Sequence, residues 1–534
     1  MCGITAVIGK KTIDEVAVRS ARMRHRGPDE RDILLTNMGI LSHERLSIMD
    51  LTTGKQPIQG TRNTYVIHNG EIYNYKKVYE TDLKGTQRRT TSDSEVIVHL
   101  YEKYGNDFCN RLDGMFAFVV FDVDKNKLIA ARDPIGVKPL YYGKDKDGAL
   151  WFASEMKTIC DTCNDVAAFP PGHYYTPETG FVKYYSPRWE REPATDKDPR
   201  GLRELLEASV EKRLMSDVPL GVLLSGGLDS SLISSIVCRK LRGTGQDLHS
   251  FSIGLSADAP DIQAARKVAK FLGTKHHEVY FTVEEGIQAL DKLIWHLESY
   301  DVTTIRASTP MYILSQYIRQ QGIKVILSGE GADEVFGGYL YFYNAPNDEA
   351  FQEETKRRVR LLSTADILRA DKSTMAHGIE LREPMLDLEF LEKAIGLSPT
   401  LKRPLLPTAT KEGRIEKFVL RKAFDDKDDP YLPENILWRQ KEQFSDGVGY
   451  NWMNSLVAHC EAKVSDNEFA QARERFPHNT PTTKEAFYIR KNFHRHFPQD
   501  AAAKTVRKWV PKWQKSKDPS GRVNNVHQDA VEKK

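Results

Sequence analysis

The sequence predicts two domains of different class: a strand-rich, antiparallel α+β domain, then an α/β domain with a mainly parallel sheet. Three observations predict this. The 534 residues exceed what one core organises. Residues 1 to about 185 alternate short apolar runs with turn residues. Beyond a charged, proline-rich stretch the texture changes to regular strand–helix alternation.

In the first domain Thr64–His68, Met115–Asp122, Lys127–Ala131 and Leu150–Ala153 are apolar runs between turn residues and read as strands. Pro187 to Arg200 is dense in charge and proline and reads as a linker. In the second domain Gly221–Leu224 predicts a strand and Ser230–Leu241 an amphipathic helix. His249–Leu255 and His276–Phe281 predict strands around a helix over Asp261–Leu272. Thr282 with Glu285 three residues on is a capping box that opens a helix. Ile323–Leu327 is a further strand, and Asp366 to Phe497 reads as mostly helical. The expected boundaries are 2–185, a linker over 186–204, a second domain over 205–497 and a polar tail over 498–534.

Composition narrows the class. Hydrophobic residues at 40% supply large cores and exclude global disorder. The longest apolar run, Met115–Phe121, falls far short of the ~20 residues that span a bilayer. The net charge of +3 gives no basic surplus for nucleic acid. Six cysteines are too few for a disulfide scaffold, and the N-terminus does not read as a secretory signal. A reducing cytoplasm is the expected compartment. Cys160 and Cys163 read as packed thiols, and His276-His277 as strand residues rather than metal ligands. The basic run Val506–Lys517, with Trp509 and Trp513, reads as a packed tail rather than a membrane or nucleic-acid contact.

Cys2 is the first candidate nucleophile. Removal of Met1 leaves it a free α-amine of pKa about 8, able to take the thiol proton. Arg45 suits a substrate carboxylate through its forked donors. Asn69 and Gly70 offer N–H groups for an oxyanion, and Glu71 and Asp93 suit an ammonium group. Met-Cys-Gly-Ile, Met23 to Asp29, His43 to Ile48 and Asn69 to Asn74 resemble the N-terminal-nucleophile glutamine amidotransferases. The resemblance implies two stacked antiparallel sheets between helices. It implies Cys2 as nucleophile, Asn69 and Gly70 as oxyanion hole, and a glutamine site of Arg45, Leu46, Ser47, Ile48, Met49, Asn69, Gly70, Glu71 and Asp93.

Ser225-Gly226-Gly227-Leu228-Asp229-Ser230-Ser231 joins a strand to a helix and forms an anion cradle. No Walker loop and no Gly-x-Gly-x-x-Gly occurs, which counts against a nicotinamide enzyme. The seven residues resemble the pyrophosphate loop of ATP pyrophosphatases. Asp229 and Asp333, at strand ends, suit Mg²⁺. With Ser328-Gly329-Glu330-Gly331, Asp301 to Pro310 and Trp438 to Gly447, the chain resembles asparagine synthetases of the glutamine-hydrolysing type. That resemblance implies an adenosine site of Leu224, Ile253, Ser328 and Gly329, with phosphates held by Ser225 to Ser231. It implies that Lys441 stabilises the departing pyrophosphate and that Glu330 governs the acyl-adenylate. Thr303, Thr304, Arg306 and Arg382 would position aspartate. An internal ammonia passage is implied too. The substrates would be glutamine, aspartate and ATP with Mg²⁺, and a homodimer is allowed.

The pattern departs at Arg382-Glu383-Pro384, where an aliphatic residue usually follows the Arg. The expectation is that Glu383 pairs with Arg382 and weakens aspartate binding. Ser94 stands where Cys is common and Ala332 where Ser is common, both small changes. Two rivals remain at this point: an adenylating ligase for another carboxylate, and a silenced regulatory homologue.

Overall fold

The computed structural model describes residues 2–406, 413–441, 447–449 and 451–513. Seventeen strands fall into three sheets among these residues. In the first domain they are β1 (Gly3–Ile8), β2 (Glu30–Leu35), β3 (Gly39–Arg45), β4 (Ile58–Gln59), β5 (Thr64–Ile72) and β6 (Gly114–Asp122). β7 (Lys127–Arg132), β8 (Tyr141–Lys144), β9 (Leu150–Ala153), β10 (Ala167–Ala168), β11 (His173–Thr176) and β12 (Gly180–Lys183) complete it. One antiparallel sheet has the order β10-β8-β9-β1-β3-β2, the other β12-β11-β7-β6-β5-β4.

The two sheets stack face to face. Ile4 and Ala6 of β1 and Leu41 of β3 meet Ile67, Ala117, Val119 and Phe121 of the other sheet. The alternate residues of β6, Phe116, Phe118 and Val120, pack beneath the helix Glu95–Tyr104. The strand is therefore apolar on both faces, which is why Met115–Phe121 reads as one unbroken run. Val7 and Ile40 pack outward, in one core with Val16 of the helix Ile13–Ser20. The helix–sheet–sheet–helix layering matches the expectation.

The second domain carries β13 (Leu220–Leu223), β14 (His249–Gly254), β15 (Lys275–Tyr280), β16 (Val325–Leu327) and β17 (Glu380–Arg382). All pairs are parallel, in the order β15-β14-β13-β16-β17. The order reverses between β13 and β16, which opens a crevice beyond their carboxyl ends. The loop after β13 and the loop after β16 meet there. A Cβ on Gly329 would lie 2.6 Å from the Asp229 carbonyl carbon, so only glycine lets the two loops touch.

Two expectations change and a third holds. The strand predicted to end at His68 runs to Ile72, because its ladder with β6 continues to Ile72 opposite Gly114. Asn69 to Glu71 are therefore strand residues, and their side chains take fixed, alternating directions. The presumed linker is in part a packed strap. It includes the helix Arg188–Arg191 with Trp189 buried, and Asp196 Oδ2 accepts from Lys393 Nζ at 2.8 Å. The tail packs onto the second domain through Trp509, as the reading of the basic run expects. Its helix Asp500–Lys504 buries Ala502 and Ala503, and Trp509 donates through Nε1 to Asp366 at 3.2 Å. The rest of the basic run, 514–517, lies outside the described residues. The capping box Thr282–Glu285 is present.

Candidate active sites

The first centre forms where β1, β3 and β5 converge. Cys2 precedes β1 and is buried. Its main-chain nitrogen donates to Asn69 Oδ1 at 2.9 Å, and its Sγ lies 4.0 Å from the Leu46 carbonyl. Burial pushes the thiol above its ordinary pKa. Asn69 Nδ2 is buried and has no hydrogen-bond partner among the described residues. Gly70 adopts φ +143°, and a Cβ there would fall 1.9 Å from the Met115 carbonyl oxygen. Only glycine fits, and the strand brings Asn69 and Gly70 together beside the thiol.

Around them Arg45 donates to Glu30 Oε2 at 2.7 Å and to the Asp50 carbonyl at 2.5 Å. Ser47 N donates to Asp29 Oδ2 at 2.8 Å. Leu46 and Ile48 are buried with Val325 and Met375 of the second domain, and Met49 packs against that cluster. Asp93 accepts from Ile72 N at 2.7 Å, and burial raises its carboxyl to about 6. Burial, then the Glu380 and Asp93 carboxylates, hold Glu71 well above the usual carboxylate range.

The second centre is the crevice between β13 and β16. Leu224, Ser225, Gly227, Leu228, Asp229, Ser230, Ile253, Ser328, Gly329, Glu330, Asp333 and Lys441 line it. Gly226 (φ +71°) shapes the loop instead, and its carbonyl accepts from Arg439 Nη1 at 3.0 Å. Ser231 lies within the first turn of the following helix, its N donating to the carbonyl of the N-cap Gly227 at 3.1 Å, and does not line the crevice. Lys441 Nζ meets Asp333 Oδ2 at 2.6 Å. Burial opposes its charge, but the Asp333 and Asp229 carboxylates push its pKa up. Glu330 pairs with Arg369 at 3.1 Å, while burial raises its carboxyl.

Among the described residues no three His, Cys, Asp or Glu side chains converge as a metal cage. Two carboxylates do converge. Lys417 Nζ bonds Asp229 Oδ2 and lies 2.6 Å from Asp333 Oδ1. A cation already bridges the pair, so the donor set suits Mg²⁺, which takes one or two carboxylates with phosphate and water.

The comparisons decide the family. The model of the asparagine synthase family matches residues 201–350 and 344–517, and that of a glutamine amidotransferase domain matches 1–184. The chain belongs to the asparagine synthase family. The glutamine-hydrolysing asparagine synthetase of Zea mays is 49% identical over 99% of this chain and 94% of its own. The probable counterpart from Dictyostelium discoideum is 50% identical over the full length of both. Among solved structures, the glutamine phosphoribosylpyrophosphate amidotransferase of B. subtilis overlaps at 16% identity with a TM-score of 0.30, over 66% of this chain and 79% of that one.

Within this family member the residues expected to hold aspartate do not all reach the crevice. Thr303 does, and its buried Oγ1 has no partner among the described residues. Thr304 donates through N and Oγ1 to Oδ2 of the N-cap Asp301, at 2.9 Å each. Arg306 forks onto Glu485 at 2.8 and 2.6 Å. Arg382 turns the other way, to Glu380 at 2.6 Å and to Glu71 of the first centre at 3.4 Å. The expected Glu383–Arg382 pair is absent, because consecutive residues of an extended segment point to opposite faces. Neither Glu383 oxygen has a hydrogen-bond partner among the described residues, and Glu383 does not line the crevice.

Residues without an expected catalytic or binding role also sit in or beside these centres. Lys417, Arg369 and Trp509 line the crevice, and Arg26 donates to the Cys2 carbonyl at 3.1 Å. Arg26 lies in the quoted Met23–Asp29 motif, which was the available signal. Lys417 and Arg369 sit in sequence read as helical that nothing local distinguishes, and Trp509 sits in the basic run Val506–Lys517, whose pattern marks packing and not a site. Glu442 to Asp446 lie outside the described residues.

Proposed function

We propose that this enzyme converts L-aspartate to L-asparagine with ATP and ammonia drawn from L-glutamine. One observation carries the reading. A Cys2 centre with an unused amide donor and a crevice lined by the Ser225–Ser230 anion loop occur in one chain, joined by Arg382, which touches Glu71 and ends the strand beside the Ser328 loop.

At the first centre the α-amine of Cys2, freed by loss of Met1, takes the thiol proton. The thiolate attacks the glutamine amide carbon. Asn69 Nδ2 and Gly70 N donate to the oxyanion. Ammonia leaves, and water then releases glutamate from the thioester. Arg45 exchanges its exposed partner Glu30 for the substrate carboxylate. Asp93 and Glu71 face the ammonium end.

At the second centre the aspartate side-chain carboxylate attacks the α-phosphorus of ATP, and pyrophosphate departs. Ser225 to Ser231 hold the phosphates, and Lys441 offsets the charge that develops on pyrophosphate. Mg²⁺ held by Asp229 and Asp333 would supply further charge neutralisation at the phosphates. Ammonia attacks the acyl carbon of β-aspartyl-AMP, AMP leaves, and Glu330 takes a proton from nitrogen. Six cysteines without a disulfide among the described residues support a reducing cytoplasm.

The test is aspartate-dependent pyrophosphate release from Mg-ATP, with glutamine or ammonium as nitrogen source and asparagine measured alongside. Release with both sources supports the reading. Pyrophosphate without asparagine would point to another acceptor, and no release at all would overturn it.

A further inference from the structure

Glu383 is wholly buried, and neither of its carboxyl oxygens has a hydrogen-bond partner among the described residues. It follows β17 directly. Ser328 N donates to the Arg382 carbonyl at 3.0 Å, so Glu383 abuts the loop that carries Glu330. On the opposite face Arg382 reaches Glu71, in the strand that also carries Asn69 and Gly70. Glu383 thus occupies the step between the centre that would release nitrogen and the centre that would use it.

The charged groups around it come from four elements. They are Lys138 after β7, Asp371 of the helix Asp366–Met375, Arg213 after the helix Leu202–Lys212, and Glu330. The cations are committed elsewhere. Lys138 Nζ donates to the Leu381 carbonyl at 3.2 Å, and Arg213 Nη1 bonds Asp387 at 3.2 Å. Another unpartnered polar atom lies on the Cys2 side. Arg26 bonds the Cys2 carbonyl and Asp371 Oδ2, yet its Nη2 has no hydrogen-bond partner among the described residues, and Asp371 Oδ1 meets only Lys138 Nζ, at 3.7 Å. A buried carboxyl with two unused oxygens, with the unused Arg26 Nη2 donor on the Cys2 side, fits a small ligand that both accepts and donates hydrogen bonds.

We propose that Glu383 is a positioning residue for ammonia in transit, its carboxylic O–H donating to the nitrogen lone pair and its carbonyl oxygen accepting an N–H. The proposal rests on the functional reading above. No covalent bond forms or breaks at this station, and nitrogen leaves it as it arrived, unprotonated. Burial raises Glu383 to about 8, opposed by Lys138 and reinforced by Asp371, so the carboxyl is neutral at neutral pH. Burial disfavours ions on both partners and keeps the pair neutral. Once Glu383 ionises by losing its proton to solvent, it has no O–H left to donate to the nitrogen lone pair, and ammonia is held by the weaker N–H contact alone.

The experiment measures asparagine formed per glutamate released, from glutamine, across about pH 6.5 to about pH 9. The ratio removes pH effects common to both half-reactions. Wild type is expected to lose about tenfold in this ratio between one unit below and one unit above the Glu383 transition. Glu383→Gln, which cannot ionise, should give a flat ratio, and so should Glu383→Val. A flat wild-type ratio, or an equal fall in Glu383→Gln, overturns the proposal. Thermal unfolding checks that each variant folds, and the wild-type profile decides alone if neither does. Parallel wild-type reactions with ammonium chloride separate the two failures. No asparagine from either nitrogen source overturns the functional reading and this proposal with it, whereas synthesis with a flat ratio overturns this proposal only.

Discussion

Asn69→Ala isolates the first centre. Asn69 is fully buried in β5, its Oδ1 orients the Cys2 backbone, and its Nδ2 has no resting partner among the described residues. Truncation therefore strands one donor, Cys2 N, at a cost of about 1 kcal/mol of net hydrogen bonding. The catalytic loss is larger. Removing one preorganised oxyanion donor costs about 3–4 kcal/mol of transition-state stabilisation, or roughly a hundred- to a thousandfold in kcat. Glutamate release should fall by that factor with KM for glutamine little changed. Ammonia-supported asparagine synthesis should persist, since the second crevice shares no residue with Asn69. Asn69→Asp keeps the acceptor and should lose at least as much, because it sets a negative charge against the oxyanion. A fall of less than about tenfold in kcat, or an equal fall in the ammonia-supported reaction, would refute the assignment.

Three further outcomes follow from the same geometry. Gly329→Ala forces a Cβ to 2.6 Å from the Asp229 backbone, so pyrophosphate release should drop by about a hundredfold or more while glutamate release survives; near-normal release would show that the two loops need not touch. Lys417→Met leaves the Asp229 and Asp333 carboxylates facing each other without their bridging ammonium, which should make pyrophosphate release depend more steeply on Mg²⁺ concentration; an unchanged dependence would remove the pair as the metal site. Folded Glu383 keeps its proton up to about 8 while the unfolded chain gives it up near 4.5, so folding takes up a proton between these values and stability falls as pH rises. Across that window Glu383→Gln should gain in melting temperature relative to wild type, with a ceiling of about 5 kcal/mol; a difference independent of pH would show that Glu383 ionises freely.

The sequence was most legible where function requires a fixed local pattern. Ser225 to Ser231 and Ser328 to Glu330 were readable because a phosphate cradle needs glycine and hydroxyl residues at set spacing, and the parallel sheet brings both to its switch point. The layered first domain was readable through resemblance, while several of its strands, such as β2 and β3, are too mixed in polarity to declare themselves. Asn69 to Glu71 looked like a loop because Asn and Gly favour turns; the ladder with β6 overrides that preference. Arg306 and Arg382 looked like substrate residues because an Arg in a quoted motif says nothing of which face it leaves. Only the fold shows that Glu485 holds the first and that the second points back toward Glu71. Lys417 reaches the crevice from a segment distant in sequence that no local pattern marks, and Trp509 from a basic run whose pattern signals packing alone.

The central claim is that nitrogen passes inside one chain from Cys2 to Glu330. The most direct measurement supplies glutamine labelled with heavy nitrogen at its side-chain amide, together with aspartate, Mg-ATP and a large pool of unlabelled ammonium. Mass spectrometry then reads the label in the asparagine formed. The account predicts that the side-chain amide of asparagine carries the glutamine label, little diluted by the pool. Asparagine labelled only to the level of the bulk ammonium would contradict it.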